Sequence, residues 1–148
     1  MVSVFVHGTP KAQPRPRAAA FNGRARVYDA GTAEGWKAAI QAQLERYAGK
    51  CIESPMVVKM TFYFPRPKSH FGTGRNAEKL KPKSPKFHLQ KPDADNLAKA
   101  VMDALSEKSG MGLWKDDTQV VSLTIFKEWA GSHPSGMMLE IERVVDDV

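Results

Sequence analysis

The sequence predicts one α+β domain over residues 1–148, with element order β-α-β-α-β-β and helices packed on one face of a mixed sheet. Short apolar segments that alternate with period two occur at the start, middle and end of the chain, as is typical of strands. Between them, two segments carry apolar residues at every fourth position, which indicates helices. The apolar fraction of 42% and the charged fraction of 26% are those of a globular protein.

The strands are predicted from their alternation and from the residues that punctuate them. VSVFVHG alternates valine with other residues and forms the first strand. PMVVKMTFYF forms the second, with Met56, Met60 and Phe64 on one face and Lys59 on the other. TQVVSLTIFKEW is the third. MMLEIERV, which follows the turn GSHPSG, closes a hairpin with it.

Two helices are predicted from apolar spacing. WKAAIQAQL carries tryptophan, isoleucine and leucine four residues apart, which predicts a helix from about residue 32 to residue 48, and Gly49 follows where a helix commonly ends. LAKAVMDAL has the same spacing and predicts a second helix that begins near Asp95 and ends before Gly110. Its single apolar stripe requires that this helix lie against the sheet.

Two long segments have no such periodicity and are basic. TPKAQPRPRAAAFNGRAR is rich in proline, and we expect a loop there. Residues 66–92 contain eight lysines and arginines against one glutamate, with proline, glycine and aromatic residues interspersed. A loop of that length in a compact domain is commonly functional or mobile.

Bulk properties exclude several classes of protein. No segment has the roughly 20 apolar residues that a membrane-spanning helix needs, and MVSVFVHG does not have the form of a signal sequence, so we expect a cytoplasmic protein that does not contact a membrane. Cys51 is the only cysteine, which excludes an intrachain disulfide and the zinc sites built on cysteine pairs. The four histidines have no ligand spacing. A bound metal would therefore have oxygen ligands, which favours Mg²⁺ or Mn²⁺.

Five aspartates lie within 25 residues of a chain whose net charge is +6. Each has an ordinary explanation. Asp95 is suitably placed to cap a helix, and Asp93 and Asp95 would both be favoured by the positive end of the helix dipole. Ion pairs with Lys99 could account for Asp95 and for Asp103, four residues to either side. The remaining two, which precede a strand, are typical turn residues; they are Asp116 and Asp117.

Taken together, the aspartates favour a metal site. Asp117 has the strand parity of the apolar residues that follow it, so it would face the helix, where Asp93, Asp95 and Asp117 could converge. Ionised carboxylates a few ångströms apart repel one another, and a divalent cation relieves that repulsion. Such a site can activate water for attack on a phosphate. A calcium loop is excluded, because Leu97 replaces an oxygen ligand of DADNLA and the required glycine is absent.

Basic segments beside an acidic centre favour a nucleic-acid substrate, because cations neutralise backbone phosphates without reading sequence. A merely solubilising surface is the simpler alternative for a run of lysines. The interleaved aromatic residues favour a DNA-binding surface. The residues predicted to contact DNA are Lys11, Arg15, Arg17, Arg24, Arg26, Lys68, Arg75, Lys79, Lys81, Lys83, Lys86 and Lys91.

KPDADNLAKAVMDAL followed by GLWKDDTQVV resembles the RusA family of Holliday-junction resolvases, small endodeoxyribonucleases common in phages and prophages. The family pattern of Asp-x-Asp-Asn-Leu-x-x-Lys, then Asp-Ala-Leu, then Asp-Asp-x-Gln-Val is present in order. PRPKSHFGTGRN, LKPKSPKFHLQKPD, GTPKAQPRPR and VYDAG are similar to the phage-type branch. The likeness therefore covers most of the chain. The basic segment before the first aspartate and the connection SEKSGMG are longer than in the shorter members.

The resemblance implies Mg²⁺-dependent cleavage of four-way DNA junctions by a homodimer, with no small-molecule cofactor. It places the essential carboxylates at Asp93, Asp95 and Asp117 and the catalytic lysine at Lys99. Mn²⁺ would be able to replace Mg²⁺. Asp103 and Asp116 lie in the motif without an assigned role, and either member of the Asp116–Asp117 pair could be the ligand. Two alternatives stay open: a non-catalytic branched-DNA-binding protein, and a metal-dependent nuclease that prefers flaps or replication intermediates.

Overall fold

The computed structural model describes residues 1–13, 17–21, 24–28, 33–106, 110–131 and 133–145, and gives only the backbone of 17–21 and 24–28. Six strands and two α-helices form the described part of the chain. In chain order they are β1 (Val2–His7), β2 (Arg17–Phe21), β3 (Arg24–Tyr28), α1 (Glu34–Gln43), β4 (Met56–Phe64), α2 (Ala94–Leu105), β5 (Val120–Trp129) and β6 (Gly136–Arg143). The predicted α+β class is confirmed.

Four strands form the central sheet in the spatial order β1-β6-β4-β5. β6 is antiparallel to both of its neighbours, whereas β4 and β5 are parallel, so the sheet is mixed as predicted. The predicted hairpin between the last two strands was wrong, because β6 lies between β1 and β4, and β4 separates it from β5. Because two parallel strands need a crossover between them, the chain leaves β4, passes through the basic segment and α2, and returns as β5. This crossover brings α2 next to β5 and so determines which residues share the acidic region.

The core lies between the sheet and the two helices. β4 contributes Val58, Met60 and Phe62, which have no exposed surface. α2 contributes the predicted stripe of Leu97, Val101 and Leu105. It also has three buried alanines, whose small side chains allow close approach of the backbone: Ala98, Ala100 and Ala104. None of the helices in the described ranges is long and apolar enough to cross a membrane.

The first predicted helix is shorter than expected. α1 ends at Gln43, and a separate 3₁₀ turn, Glu45–Tyr47, follows it. Gly49, with φ of 73°, lies just beyond this turn rather than at the end of the α-helix. The turn is joined to the segment before β5, because the backbone N–H groups of Gly49 and Cys51 donate to the carbonyls of Met111 and Gly112.

The prediction of a loop over residues 9–26 was wrong in part. Arg17–Phe21 and Arg24–Tyr28 pair as the antiparallel hairpin β2–β3, which forms a second, two-stranded sheet. The Asn-Gly dipeptide at 22–23, itself outside the described residues, is a strong hairpin signal. The surrounding prolines and arginines had favoured a loop.

The basic segment of residues 66–92 is irregular, as predicted, but it is attached to the sheet. Arg66 donates from Nε to the carbonyl of Ala130 at 2.9 Å and from Nη1 to that of Pro85 at 2.8 Å. Residues 86–88 then pair with the end of β5. His88 N–H donates to the carbonyl of Lys127 at 3.0 Å, and Trp129 N–H donates to that of Lys86 at 2.9 Å. The segment therefore runs along the β5 edge directly into α2.

Candidate active site

One face of α2 carries alternating charge. Asp95, Lys99 and Asp103 lie four residues apart, so they share the side of the helix that is turned away from the buried stripe. Both Asp95 and Lys99 are exposed, and Asp103 is half-buried. The helix thus presents a carboxylate, an ammonium group and a second carboxylate along two successive turns.

These groups line a cleft of about 310 Å³ between α2 and β5. Its floor is apolar and its rim is charged, since β5 contributes two aliphatic side chains while the carboxylates come from α2 and from the turn before β5. The lining residues are Asp95, Ala98, Lys99, Met102, Asp103, Asp117, Leu123 and Ile125. Asp95, Asp117 and Lys99, three of the four residues expected to be catalytic, are therefore together.

Asp117 reaches the cleft from a 3₁₀ turn, Asp117–Gln119, rather than from a strand. Its Oδ1 accepts a hydrogen bond of 2.7 Å from Nε1 of Trp114, a fully buried residue. Burial raises the pKa of the Asp117 carboxyl, the Trp114 hydrogen bond opposes the rise, the charges of Asp103 and Asp116 add to it, and Lys99 opposes it. The structure thus holds a carboxylate in a place where ionisation is disfavoured.

Asp116 has a different position from its neighbour. Its carboxylate accepts from the N–H of Thr118 at 2.9 Å, and its own N–H donates to the side chain of Gln119 at 2.7 Å, which completes a capping box. Gln119 in turn donates to the carbonyls of Ile52 and Ser54. Asp116 thus shapes the turn and Asp117 lines the cleft.

Asp93 occupies the cap position of α2, immediately before Ala94. Its backbone is extended, its side chain makes no capping hydrogen bond, and it is exposed. The interpretation of Asp95 as the cap residue was wrong, because Asp95 lies in the first turn. Asp93 does not line the cleft, but the positive end of the α2 dipole favours both carboxylates.

Oxygen ligands at the cleft suit a hard divalent cation. Asp95, Asp103 and Asp117 are carboxylates. Burial, and after it the charges of Asp103 and Asp116, raises the pKa of Asp117, and a cation would offset the repulsion between these charges. Within the described part of the chain, no three His, Cys, Asp or Glu side chains are grouped closely enough to hold a metal ion. The carboxylate oxygens at the cleft suit such a cation in chemistry, but their grouping does not complete a ligand set, which therefore stays a prediction.

The residues predicted to contact DNA fall into two groups. In the register of β2–β3, position 17 is opposite 28, 19 opposite 26 and 21 opposite 24, so the three arginine positions of the hairpin share one face. Arg15 lies outside the described residues. The other group is exposed to solvent: Lys11, Lys68, Arg75, Lys79, Lys81, Lys83, Lys86 and Lys91.

Lys127 was missed at the sequence level. It lies on β5 with the parity of Leu123 and Ile125, the two cleft residues, and its Nζ is 2.7 Å from the carbonyl oxygens of both Gln90 and Pro92. The sequence did contain a signal for it, because this lysine falls on the strand face that otherwise carries apolar residues.

An acidic cleft bordered by basic segments is the arrangement expected of an enzyme that cuts a nucleic-acid backbone. The family model for endodeoxyribonuclease RusA matches residues 7–142, nearly the whole chain. The chain belongs to the RusA family, as its motifs predicted, and is therefore related to nucleases. It is also 34% identical over 130 residues to the uncharacterized protein YqaN of Bacillus subtilis (strain 168), covering 85% of this chain and 86% of that protein.

Proposed function

We propose that this protein is a Mg²⁺-dependent, structure-selective endodeoxyribonuclease that resolves four-way DNA junctions by paired symmetric nicks during recombination and repair. One observation carries the proposal: in a chain of the RusA family, Asp95, Lys99 and Asp117 line a single cleft. Asp95 and Lys99 are separated by one helical turn, and Asp117 comes from a distant part of the sequence, so only the folded chain brings the three together.

The carboxylates of Asp93, Asp95 and Asp117 would hold the metal, Mg²⁺ or in its place Mn²⁺. When bound, the metal supplies Lewis acidity toward the scissile phosphate and lowers the pKa of a coordinated water. The chain itself fixes the direction of the Asp117 carboxylate through the Trp114 hydrogen bond of 2.7 Å. The apolar cleft floor partly shields the Asp117 carboxylate from water, as the rise of its pKa by burial indicates, and so strengthens the charge interactions there.

Lys99 has the role of a cation beside the reacting phosphate. Its ammonium is close enough to Asp117 to oppose the rise in the pKa of that carboxyl. In the proposed mechanism it donates to a phosphate oxygen and offsets the negative charge that grows in the transition state. Because it is exposed, DNA has access to it.

The remaining features concern the substrate. The exposed lysines of the basic segment would neutralise backbone phosphates on the DNA arms. Resolving a junction requires two nicks related by symmetry, which a homodimer with two clefts provides. We propose a cytoplasmic homodimer that acts on branched DNA without a membrane or a small-molecule cofactor.

Asp95→Asn tests the proposal, because the substitution keeps shape and removes a ligand charge. We expect junction binding to be retained and the nicking rate in Mg²⁺ to fall at least about 100-fold. Glu142→Gln is the matched control, since Glu142 is exposed on β6 and does not line the cleft. Undiminished nicking by Asp95→Asn would exclude the proposed ligand set.

A substrate comparison separates the alternatives. The purified protein is incubated with a labelled four-way junction, a flap and plain duplex, each with and without Mg²⁺. Paired nicks on the junction alone support the proposal. Nicks confined to the flap indicate a nuclease of different preference, and junction binding without Mg²⁺-dependent nicks indicates a non-catalytic DNA-binding protein.

A further inference from the structure

Lys127 connects β5 to the start of α2. Its side chain is on the face of the sheet that carries Leu123 and Ile125, and therefore faces the helix. It is half-buried. A lysine in that position needs partners, because an ammonium group removed from water without hydrogen-bond acceptors is strongly disfavoured.

The partners are two carbonyl groups of the segment that leads into α2. The Nζ atom donates to the carbonyl oxygen of Gln90 at 2.7 Å and to that of Pro92 at 2.7 Å. The main chain of Lys127 also holds this segment, because its carbonyl accepts from His88 N–H at 3.0 Å. One residue of β5 therefore holds the chain at positions 88, 90 and 92, immediately before Asp93.

Charge favours the same arrangement. The ammonium group of Lys127 lies near the Asp93 carboxylate, which opposes the lowering of the lysine pKa by burial. Asp93 makes no capping hydrogen bond of its own, so the cap geometry does not orient its side chain. The carbonyl of Asp93 accepts from Leu97 N–H at 3.1 Å within α2, and the hydrogen-bonded carbonyls of Gln90 and Pro92 hold the chain on its other side.

We propose that Lys127 is a positioning residue, which holds residues 90–92 against β5 and thereby fixes the place of Asp93, the proposed metal ligand that immediately precedes α2. The proposal rests on the proposed function, in which Asp93 is a metal ligand. Lys127 acts through Asp93 and does not contact the DNA. Removal of a group that orients a metal ligand commonly lowers metal affinity by roughly 10- to 100-fold.

The test compares substitutions that differ in hydrogen-bond donors. Lys127→Met keeps the length of the stem and removes the ammonium group, and Lys127→Arg keeps a charged group with several N–H donors. Lys115→Met is the matched control, because Lys115 is an exposed lysine whose ion pair is with Glu53 at 3.5 Å, away from the cleft. Thermal unfolding establishes that each variant is folded.

Two quantities are measured: Mn²⁺ affinity by titration calorimetry without DNA, and the Mg²⁺ concentration that gives half-maximal nicking. We expect Lys127→Met to raise both the Kd for Mn²⁺ and the half-maximal Mg²⁺ concentration by about 10-fold or more. Lys127→Arg should restore most of the affinity, and Lys115→Met should behave as wild type. If Lys127→Met does not fold, Lys127→Gln, which keeps one donor group, is measured in its place with a smaller expected loss.

The outcomes distinguish the two proposals. Wild-type protein that binds Mn²⁺, together with Lys127→Met that binds it equally well and nicks at the same Mg²⁺ concentration, overturns the role of Lys127 alone. Wild-type protein that neither binds Mn²⁺ nor nicks the junction overturns the proposed function instead.

Discussion

Asp117 shows how a single carboxyl can be prepared for a cation. Burial and the nearby charges of Asp103 and Asp116 raise its pKa, whereas the Trp114 hydrogen bond and Lys99 oppose the rise. The folded protein therefore retains a carboxylate whose ionisation costs stability. In the proposed function a divalent metal would offset that cost, so stability and the proposed function make opposite demands on this residue.

We predict that Asp117→Asn is more stable than wild type at pH 7 in metal-free buffer. The folded-state pKa lies above the unfolded-state value, so the stability linked to this carboxyl is present in acid and is lost as pH rises through the folded-state pKa. Asparagine does not titrate and still accepts from Trp114. Thermal unfolding from pH 3 to pH 7 should show the difference only at the higher pH values.

Mg²⁺ provides the control for this prediction. Adding it should raise the Tm of the wild type, because a ligand that binds only the folded state stabilises that state, and should have a smaller effect on Asp117→Asn. A variant that is less stable than wild type at pH 7, with an unchanged response to Mg²⁺, would contradict the interpretation of this carboxyl.

His88 is a second residue for which burial determines protonation. Its ring stacks on Phe64 with centroids 4.0 Å apart, and its Nδ1 atom is buried without a hydrogen-bond partner. Burial, followed by the charge of Lys127, lowers the pKa of His88 below its ordinary value of 6.5. Protonation in acid would place a charge in an aromatic environment beside an ammonium group.

We predict that the free energy of unfolding falls as pH drops below about 6.5, the ordinary histidine value. The unfolded chain binds the proton more readily than the folded one, so the stability is fully present above the unfolded-state pKa and is lost toward the folded-state pKa. His88→Phe keeps a ring against Phe64 and should reduce this slope between pH 7 and pH 5. His7→Gln, an exposed control, should retain it, and equal slopes for both variants would exclude His88 as the source.

The pairing of β1 with β6 depends on one glycine. Gly136 has φ of 153°, and a Cβ added there would lie 2.1 Å from the carbonyl oxygen of Val6. Because that oxygen belongs to the backbone of the neighbouring strand, it cannot move without separating the strands. The β1–β6 register therefore requires glycine at this position.

We predict that Gly136→Ala destabilises the protein by about 2 kcal/mol or more, measured by urea unfolding. Gly35→Ala is the control. Gly35 lies within α1 with nothing within 4 Å of an added Cβ, so alanine should stabilise the helix by about 0.5–1 kcal/mol. Equal effects of the two substitutions would show that the contact of an added Cβ with the Val6 carbonyl does not determine the result.

Elements with one buried face were predictable. The spacing of leucine, valine and leucine in α2 reports burial against the sheet, and the alternation in β4 does the same. The β2–β3 hairpin was not predicted, because proline and arginine composition outweighed the Asn-Gly signal. The role of Asp116 was not assigned, because it depends on a capping box with Gln119, three residues later. The 3₁₀ turn that carries Asp117 was taken for the start of a strand, because so short a turn has no periodic pattern.

Prediction of the site was limited for the same reason: contacts that depend on the three-dimensional fold leave no periodic pattern in the sequence. Proximity of Asp117 to α2 follows from the parallel β4–β5 crossover, which the sequence only suggested. Lys127 could not be assigned, because its partners are the carbonyls of Gln90 and Pro92, and carbonyl acceptors are the same at every position in a sequence. Contacts of side chains with backbone therefore require the structure.

At the scale of the molecule, opposite charges are separated in space. The net charge is +6, yet the cleft is lined by three carboxylates. The basic segment of residues 66–92 is attached to β5, the strand that also forms the cleft floor, so the positive surface and the acidic cleft share one edge of the sheet. A long-range attraction for a polyanion can therefore lead to the place where the metal would be bound.

The salt dependence of DNA binding tests this arrangement. We predict that replacing Lys79, Lys81 and Lys83 with glutamine reduces the slope of log K against log salt by up to about 3, at roughly 0.9 for each phosphate that is no longer neutralised. The matched control replaces three exposed lysines outside the two basic segments, Lys50, Lys59 and Lys115, which lowers the net charge by the same amount, from +6 to +3. Binding to a four-way junction is measured without Mg²⁺, so that no cleavage occurs. If net charge alone attracts DNA, the slope falls equally in both variants. If the basic segment binds the phosphates, the slope falls only in the first variant, because counterions are released where phosphates are neutralised and not elsewhere.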